Sequence, residues 1–318
     1  NVNLKGLIMT TPYDRLMADV RDGRVVLIDG ATGTEIERRG AVMHGKAWCA
    51  AASLTHPDVL LDVHRDYIKA GARVITTNTF STNRNMLEPA GLGPDFEILN
   101  RKAVELALAA REAEAAQQSV VVAGSLSHQI PFQTNSKGKV IKRTAPPLEL
   151  AEANFNEMAS TLAASGVDLL LLEMMSTPVL ANLALNAARA TGLPLWVGFS
   201  IDSGPDGTLI SHATQELSAD QMLNAVDFSG ADAIGIMHSQ VNILSECIAL
   251  LRRHFGGPIM AYPDSGYFVM PNWQFDSVIG TKELCAYAEQ WMRDGAQIIG
   301  GCCGVGTEHI EALAETIN

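Results

Sequence analysis

The chain has 318 residues with a net charge of -12 and no lysine- or arginine-rich run, which excludes attraction to nucleic acid or an anionic membrane through a positive surface. Hydrophobic residues make up 47% and charged residues 18%, so a substantial buried core is expected and a disordered or fibrous chain is excluded. The longest apolar stretches, such as VDLLLLEMM at 167–175, fall far short of the roughly 20 residues a membrane span needs.

The amino end, NVNLKGLIMTTPYDRL, has no basic segment followed by a long apolar run, so no signal peptide is read there. Beyond it, short apolar, β-branched runs alternate with longer segments of 3.6-residue periodicity. In chain order this predicts strands at 24–29, 73–77, 119–124, 168–173, 194–200, 232–237, 258–262 and 296–300. Helices are predicted near 57–70, 95–117, 148–165, 178–191, 218–229, 241–255, 281–294 and 307–317. Thr55 with Pro57, Ser176 with Pro178, and Ser218 supply helix-start chemistry. Glycines in KAGARV, ASGVDL, FSGADA and RDGAQI supply the stops.

Eight strands alternating with eight helices predict one α/β domain over 1–318, a (β/α)8 TIM barrel with its active site at the carboxyl ends of the strands. A doubly wound open sheet is the alternative. The long segments 125–147 and 201–217 follow strands three and five, and are expected to be irregular binding loops on the active face.

Polar residues close nearly every predicted strand: Asp29, Asn78, Ser125, Glu173, Ser200, His238, Asp264 and the pair Cys302/Cys303. On a barrel these points converge on one mouth. The pair stands in IIGGCCGVG, where the glycines permit a turn that can aim both thiols at one ion. Two small buried hydrophobes, or a strained vicinal disulfide, are the structural alternatives. A catalytic zinc site takes three protein ligands and keeps a fourth position open. His238, after strand six, is the best-placed third ligand, with His128 and His212 in reserve on the loops. Glu173 and Asp29 are candidate substrate-binding carboxylates, with partial burial against a backbone amide as the alternative for Glu173. Asp29 opens the glycine turn of LIDGATGTE, which includes Gly30 and lacks the lysine and spacing of a P-loop. An odd count of five cysteines suits the reducing cytoplasm.

Taken together, the blocks DGATGTE (29–35), HRDYIKAGARVITTNTF (64–80), AGSL (123–126), GVDLLLLE (166–173), GIMH (235–238), YPDSG (262–266) and GGCCG (300–304) occur in an order that resembles the homocysteine S-methyltransferase family. That family includes betaine–homocysteine methyltransferase and the homocysteine half of cobalamin-dependent methionine synthase. The resemblance implies a barrel whose zinc sits on the two cysteines of GGCC and a third cysteine after strand six. It also implies that Asp29, the glycine turn and Glu173 hold the amino acid part of homocysteine. The expected substrate-binding set is Asp29, Gly30, Asn78, Ser125 and Glu173, and the expected zinc ligands are His238, Cys302 and Cys303.

Two departures stand out. The family's usual Gly-Val-Asn-Cys is Gly235-Ile236-Met237-His238, which replaces a thiolate with a neutral imidazole, and its frequent Glu-Thr is Glu173-Met174. Two cysteines and one histidine are a known catalytic zinc set. The expected partners are a small thiol acceptor and a small sulfonium or quaternary ammonium methyl donor, in a stand-alone unit without folate or cobalamin modules; assembly as a homo-oligomer is left open. Phe132, Tyr262, Tyr267, Phe268 and Trp273 are candidates to face the cationic donor, or simply to pack loops. Demethylation of a methylated osmolyte with another acceptor, and a metal-binding relative that has lost activity, are the competing readings.

Overall fold

Strands and helices alternate along the chain in the computed structural model, which describes residues 11–114, 119–130, 132–134, 140–143, 145–269 and 271–317, with the backbone alone at 132–134 and 140–143. The parallel strands are β1 (Val26–Leu27), β2 (Val74–Thr76), β3 (Val121–Ser127), β4 (Leu169–Met175), β5 (Leu195–Phe199), β6 (Ala233–Gln240), β7 (Ile259–Asp264) and β8 (Ala296–Ile299). Their hydrogen-bonded order is β1-β8-β7-β6-β5-β4-β3-β2. A bridge between Ile28 and Val74 joins the two ends, with the Asp29 amide donating to the Val74 carbonyl at 2.9 Å. The sheet therefore closes into a (β/α)8 barrel, which an open doubly wound sheet cannot do.

The helices that follow the strands are α1 (Pro57–Lys69), α2 (Phe96–Glu114), α3 (Leu148–Ser165), α4 (Pro178–Ala190), α5 (Ala219–Ala225), α6 (Leu244–His254), α7 (Thr281–Arg293) and α8 (Thr307–Ile317). Alternation along each strand divides the core in two. Val26, Val74, Val121, Leu169, Leu171, Trp196 and Ile298 fill the barrel. Leu27, Ile75, Val122, Leu170, Val197 and Ile299 point outward against the helices. The same period aims Glu173, two and four residues beyond Leu171 and Leu169, into the mouth. Between α7 and β8, Gly295 adopts φ +103°, a left-handed turn in which any side chain would be strained.

An unpredicted helix, Pro12–Arg21, plugs the amino end of the barrel with Tyr13, Leu16 and Val20. The Tyr13 hydroxyl donates to Asp232 at 2.7 Å and accepts from the Trp196 indole at 3.1 Å. Other differences are local. Pro57 and Pro178 do begin α1 and α4, but Thr55 and Ser176 do not cap them. The Thr55 hydroxyl donates instead to Ala51, and that of Ser176 to Met174. Ser218 does cap α5 through a reciprocal bond pair with Gln221, although the helix stops at Ala225 rather than 229. Segment 201–217 is not wholly irregular, since Ile201–Ser203 pairs with Leu209–Ser211. Segment 125–147 likewise holds a hairpin, Phe132–Thr134 with Val140–Arg143, and Tyr267–Val269 pairs with Asn272–Gln274 in a third. No helix among the described residues is long and apolar enough to cross a membrane.

Candidate metal and substrate site

The turn after β8 is built by its neighbours. The Cys302 amide donates to the Pro263 carbonyl at 2.7 Å, the Cys303 amide to Asp264 Oδ1 at 3.0 Å, and the Gly304 amide to Thr34 Oγ1 at 3.1 Å. A Cβ on Gly304 would collide with the Ser265 carbonyl, so the turn requires glycine there. These bonds hold both thiols at the barrel mouth, with sulfurs 4.0 Å apart. That is about twice a disulfide length of roughly 2.05 Å, so the vicinal disulfide is not formed.

His238 reaches the same place by a break in its strand. Its φ is +52°, and the pairing of β6 with β7 shifts between Met237 and Gln240. Strict alternation would turn residue 238 away from the lumen that Met237 fills, and the left-handed backbone redirects the ring. Met174 shows the same device at φ +63° beside Glu173. Backbone strain of this kind, of order 1–3 kcal/mol per residue, persists where surrounding packing enforces it.

His238 Nδ1 lies 3.4 Å from Cys302 Sγ, and its Nε2 lies 3.1 Å from Glu173 Oε2. Among the described residues, two sets of donor atoms lie within 4.8 Å of one another: Glu173 with His238 and Cys302, and Asp264 with Cys302 and Cys303. Cys302 belongs to both, while His238 and Cys303 do not share a set. A tetrahedral zinc with bonds of about 2.3 Å to sulfur and 2.0–2.1 Å to nitrogen spaces its ligands about 3.8 Å sulfur to sulfur and about 3.5 Å sulfur to nitrogen. The distances around Cys302 match both spacings, so this donor chemistry fits zinc.

Burial dominates the electrostatics. It pushes the Cys302 thiol well above its ordinary value, and the adjoining Cys303 adds to the rise. For Cys303 the bond with Cys302 pulls down while burial pushes up, ending at about 11. Burial works against charge on His238, but Cys302 and Glu173 outweigh it and leave the imidazole well above its usual value. Asp29 is pushed up to about 8 by burial, although Thr76 donates to both of its oxygens, at 2.6 and 2.9 Å.

The cluster opens into a cavity of about 310 Å³. Asn78, Glu173, His238, Cys302 and Cys303 line it; Asp29, Gly30 and Ser125 lie behind the wall. Asp29 touches Thr76 and Tyr262, both of which do line the cavity. Ser125 is buried with a hydroxyl that has no partner among the described residues. Of the two reserve histidines, His212 lines the cavity and bonds Asp202 at 3.1 Å, whereas His128 is buried and accepts the Ser176 amide at 2.8 Å.

Tyr262, Phe268 and Trp273 also line the cavity, while Tyr267 does not and is exposed. The Phe132 side chain lies outside the described residues. Sequence reasoning missed Trp48, Phe80, Cys49 and Lys46, all of which line the cavity. Phe80 closes the TNTF run that follows β2, two residues past Asn78, a position the strand-end argument could have reached. Trp48 sits at φ +48° in a segment without periodicity and meets Phe268 edge to face at 6.2 Å between ring centres; nothing in the sequence marks it.

Known proteins agree with this picture. The sequence profile of the homocysteine S-methyltransferase family matches residues 26–317. Homocysteine S-methyltransferase 2 of Zea mays is 28% identical over 322 residues, spanning 96% of this chain and 93% of its own. Betaine–homocysteine S-methyltransferase 1 of Danio rerio is 28% identical over 316 residues, spanning 93% and 74% respectively. Among solved structures, the metallated form of the homocysteine methyltransferase MmuM from Escherichia coli shares the fold with a TM-score of 0.75 at 25% identity, covering 94% of this chain and 99% of that one.

Proposed function

The chain belongs to the homocysteine S-methyltransferase family, and from that premise we propose that it moves a methyl group from a sulfonium or quaternary ammonium donor to homocysteine or a related thiol, with zinc held by His238, Cys302 and Cys303. With homocysteine as acceptor the product is methionine. The observation that carries the reading is the spacing around Cys302, with a nitrogen at 3.4 Å and a second sulfur at 4.0 Å on the wall of an accessible cavity. Bound there, zinc would lower the pKa of an incoming thiol and keep it nucleophilic at neutral pH.

The protein's own groups do the rest. Glu173 and Asn78 meet the acceptor's amino acid end from the cavity wall, and Asp29, Gly30 and Ser125 support that wall from behind. Tyr262, Phe268 and Trp273, joined by Trp48, present ring faces to the cationic donor. The acceptor thiol gives up its proton to solvent, and the sulfur lone pair then forms the new S–CH3 bond in line with the bond that breaks. The breaking pair stays on the donor sulfur or nitrogen, whose positive charge disappears. An apolar enclosure favours this step, because charge is neutralised as the transition state forms. Five free thiols suit a reducing compartment, and we assign the enzyme to the cytoplasm.

Metal analysis together with Cys302→Ala tests the reading. About one zinc per chain is expected, with zinc retention and methyl transfer both lost in the variant. A metal-free preparation that is still fully active would overturn it.

A further inference from the structure

His238 presents two different nitrogens to two different partners. Nε2 stands 3.1 Å from Glu173 Oε2, and Nδ1 is the nearer nitrogen to Cys302 Sγ, at 3.4 Å against 3.9 Å for Nε2. The ring has little freedom to exchange these roles. Its backbone is held at φ +52°, the Phe80 ring lies against it at 5.0 Å between centres and 31° between planes, and the imidazole and carboxylate are each about nine-tenths buried. An ionised carboxylate only accepts, so the nitrogen facing it must carry a proton. In a neutral imidazole the other nitrogen is then the lone-pair donor, and it is the one beside the thiol.

We infer that Glu173 is a positioning residue for His238: its carboxylate fixes the proton on Nε2, so that Nδ1 is the nitrogen offered to the metal. The inference rests on His238 being a ligand, as the proposed function holds. It adds a role for Glu173 that the family resemblance does not imply, since a cysteine at position 238 would have no second nitrogen to orient. One carboxylate then serves two tasks. Oε2 holds the ligand, which leaves Oε1 for the acceptor's ammonium group. A carboxylate behind a metal-bound imidazole also raises the ligand's basicity, and loss of such a partner typically costs about 10–100-fold in metal affinity.

Long-range proton–nitrogen correlation spectra of the 15N-histidine-labelled protein, recorded before and after adding zinc, read the assignment directly. With zinc bound, the expected result is a proton retained on Nε2 of His238 and a zinc-dependent shift at Nδ1. Chelator competition should show zinc affinity about 10–100-fold weaker in Glu173→Leu, and largely rescued in Glu173→Gln, which keeps a carbonyl acceptor for Nε2. A proton on Nδ1 with the zinc shift at Nε2, or wild-type zinc affinity in a folded Glu173→Leu, would overturn the inference. The wild-type spectrum decides the assignment even where the leucine variant does not fold. Neither readout uses a donor, an acceptor or turnover, so an enzyme that methylates no thiol would overturn the proposed reaction and leave this assignment standing.

Discussion

Histidine serves opposite purposes at two positions of this chain. His238 is surrounded by Glu173, Cys302 and Phe80, whereas His64, fully buried on α1, has no hydrogen-bond partner at either ring nitrogen among the described residues. Burial alone lowers the His64 pKa from 6.5 to about 4. Because the folded value lies below the unfolded one, the unfolded chain binds more protons between those limits, and stability falls as the pH drops from about 6.5 to about 4. At about 1.4 kcal/mol per pH unit, the loss attributable to His64 approaches about 3 kcal/mol near pH 4. Urea denaturation of wild type and His64→Leu should therefore diverge in the variant's favour as the pH is lowered from 7 to 4. A constant difference across that range would contradict the assignment. At this scale the polar strand ends were legible, because a barrel must gather them. The behaviour of His238 was only half legible, since a left-handed backbone at a histidine leaves no mark in a single sequence.

Among the elements, the most consequential unpredicted one is the helix Pro12–Arg21. Its Thr11–Asp14 capping box and Pro12 are ordinary start signals, but a plug for the barrel floor cannot be told from a surface helix until the barrel exists. Tyr13 ties it to the strands through Asp232 and Trp196. Tyr13→Phe removes the hydroxyl that accepts from the fully buried Trp196 indole N–H, and should cost about 1–3 kcal/mol in chemical denaturation. Zinc content should not change, because the plug lies at the opposite end from the cysteines. A variant as stable as wild type would show that the helix is held by its apolar face alone.

Strand edges illustrate a related limit. β3 runs to Ser127 and β6 to Gln240, three residues past the predicted ends, because strands become polar just where they line the cavity and the apolar signal stops first. The hairpins at 201–211 and 267–274 have strands of three residues, too short for alternation to register.

For the molecule as a whole, closure of the barrel converts eight separated strand ends into one site. The count of strands was readable because each is mostly buried and each is followed by a longer periodic segment. The depth of each residue was not: Asp29, Gly30 and Ser125 lie at or near the predicted strand ends just as Asn78 and Glu173 do, yet they stand behind the wall. Depth depends on the stagger of neighbouring strands, which no single strand encodes.

If a thiol receives the methyl group at the metal cluster, as proposed, turnover must depend on both the thiol and the metal. The most direct measurement supplies zinc-loaded protein with a panel of methyl-labelled sulfonium and quaternary ammonium donors, with and without homocysteine, and follows the label. Label is expected in methionine, formed in step with loss of one donor and abolished both by a chelator and by omission of the thiol. Donor consumption that continues unchanged with every thiol left out would contradict the proposed reaction.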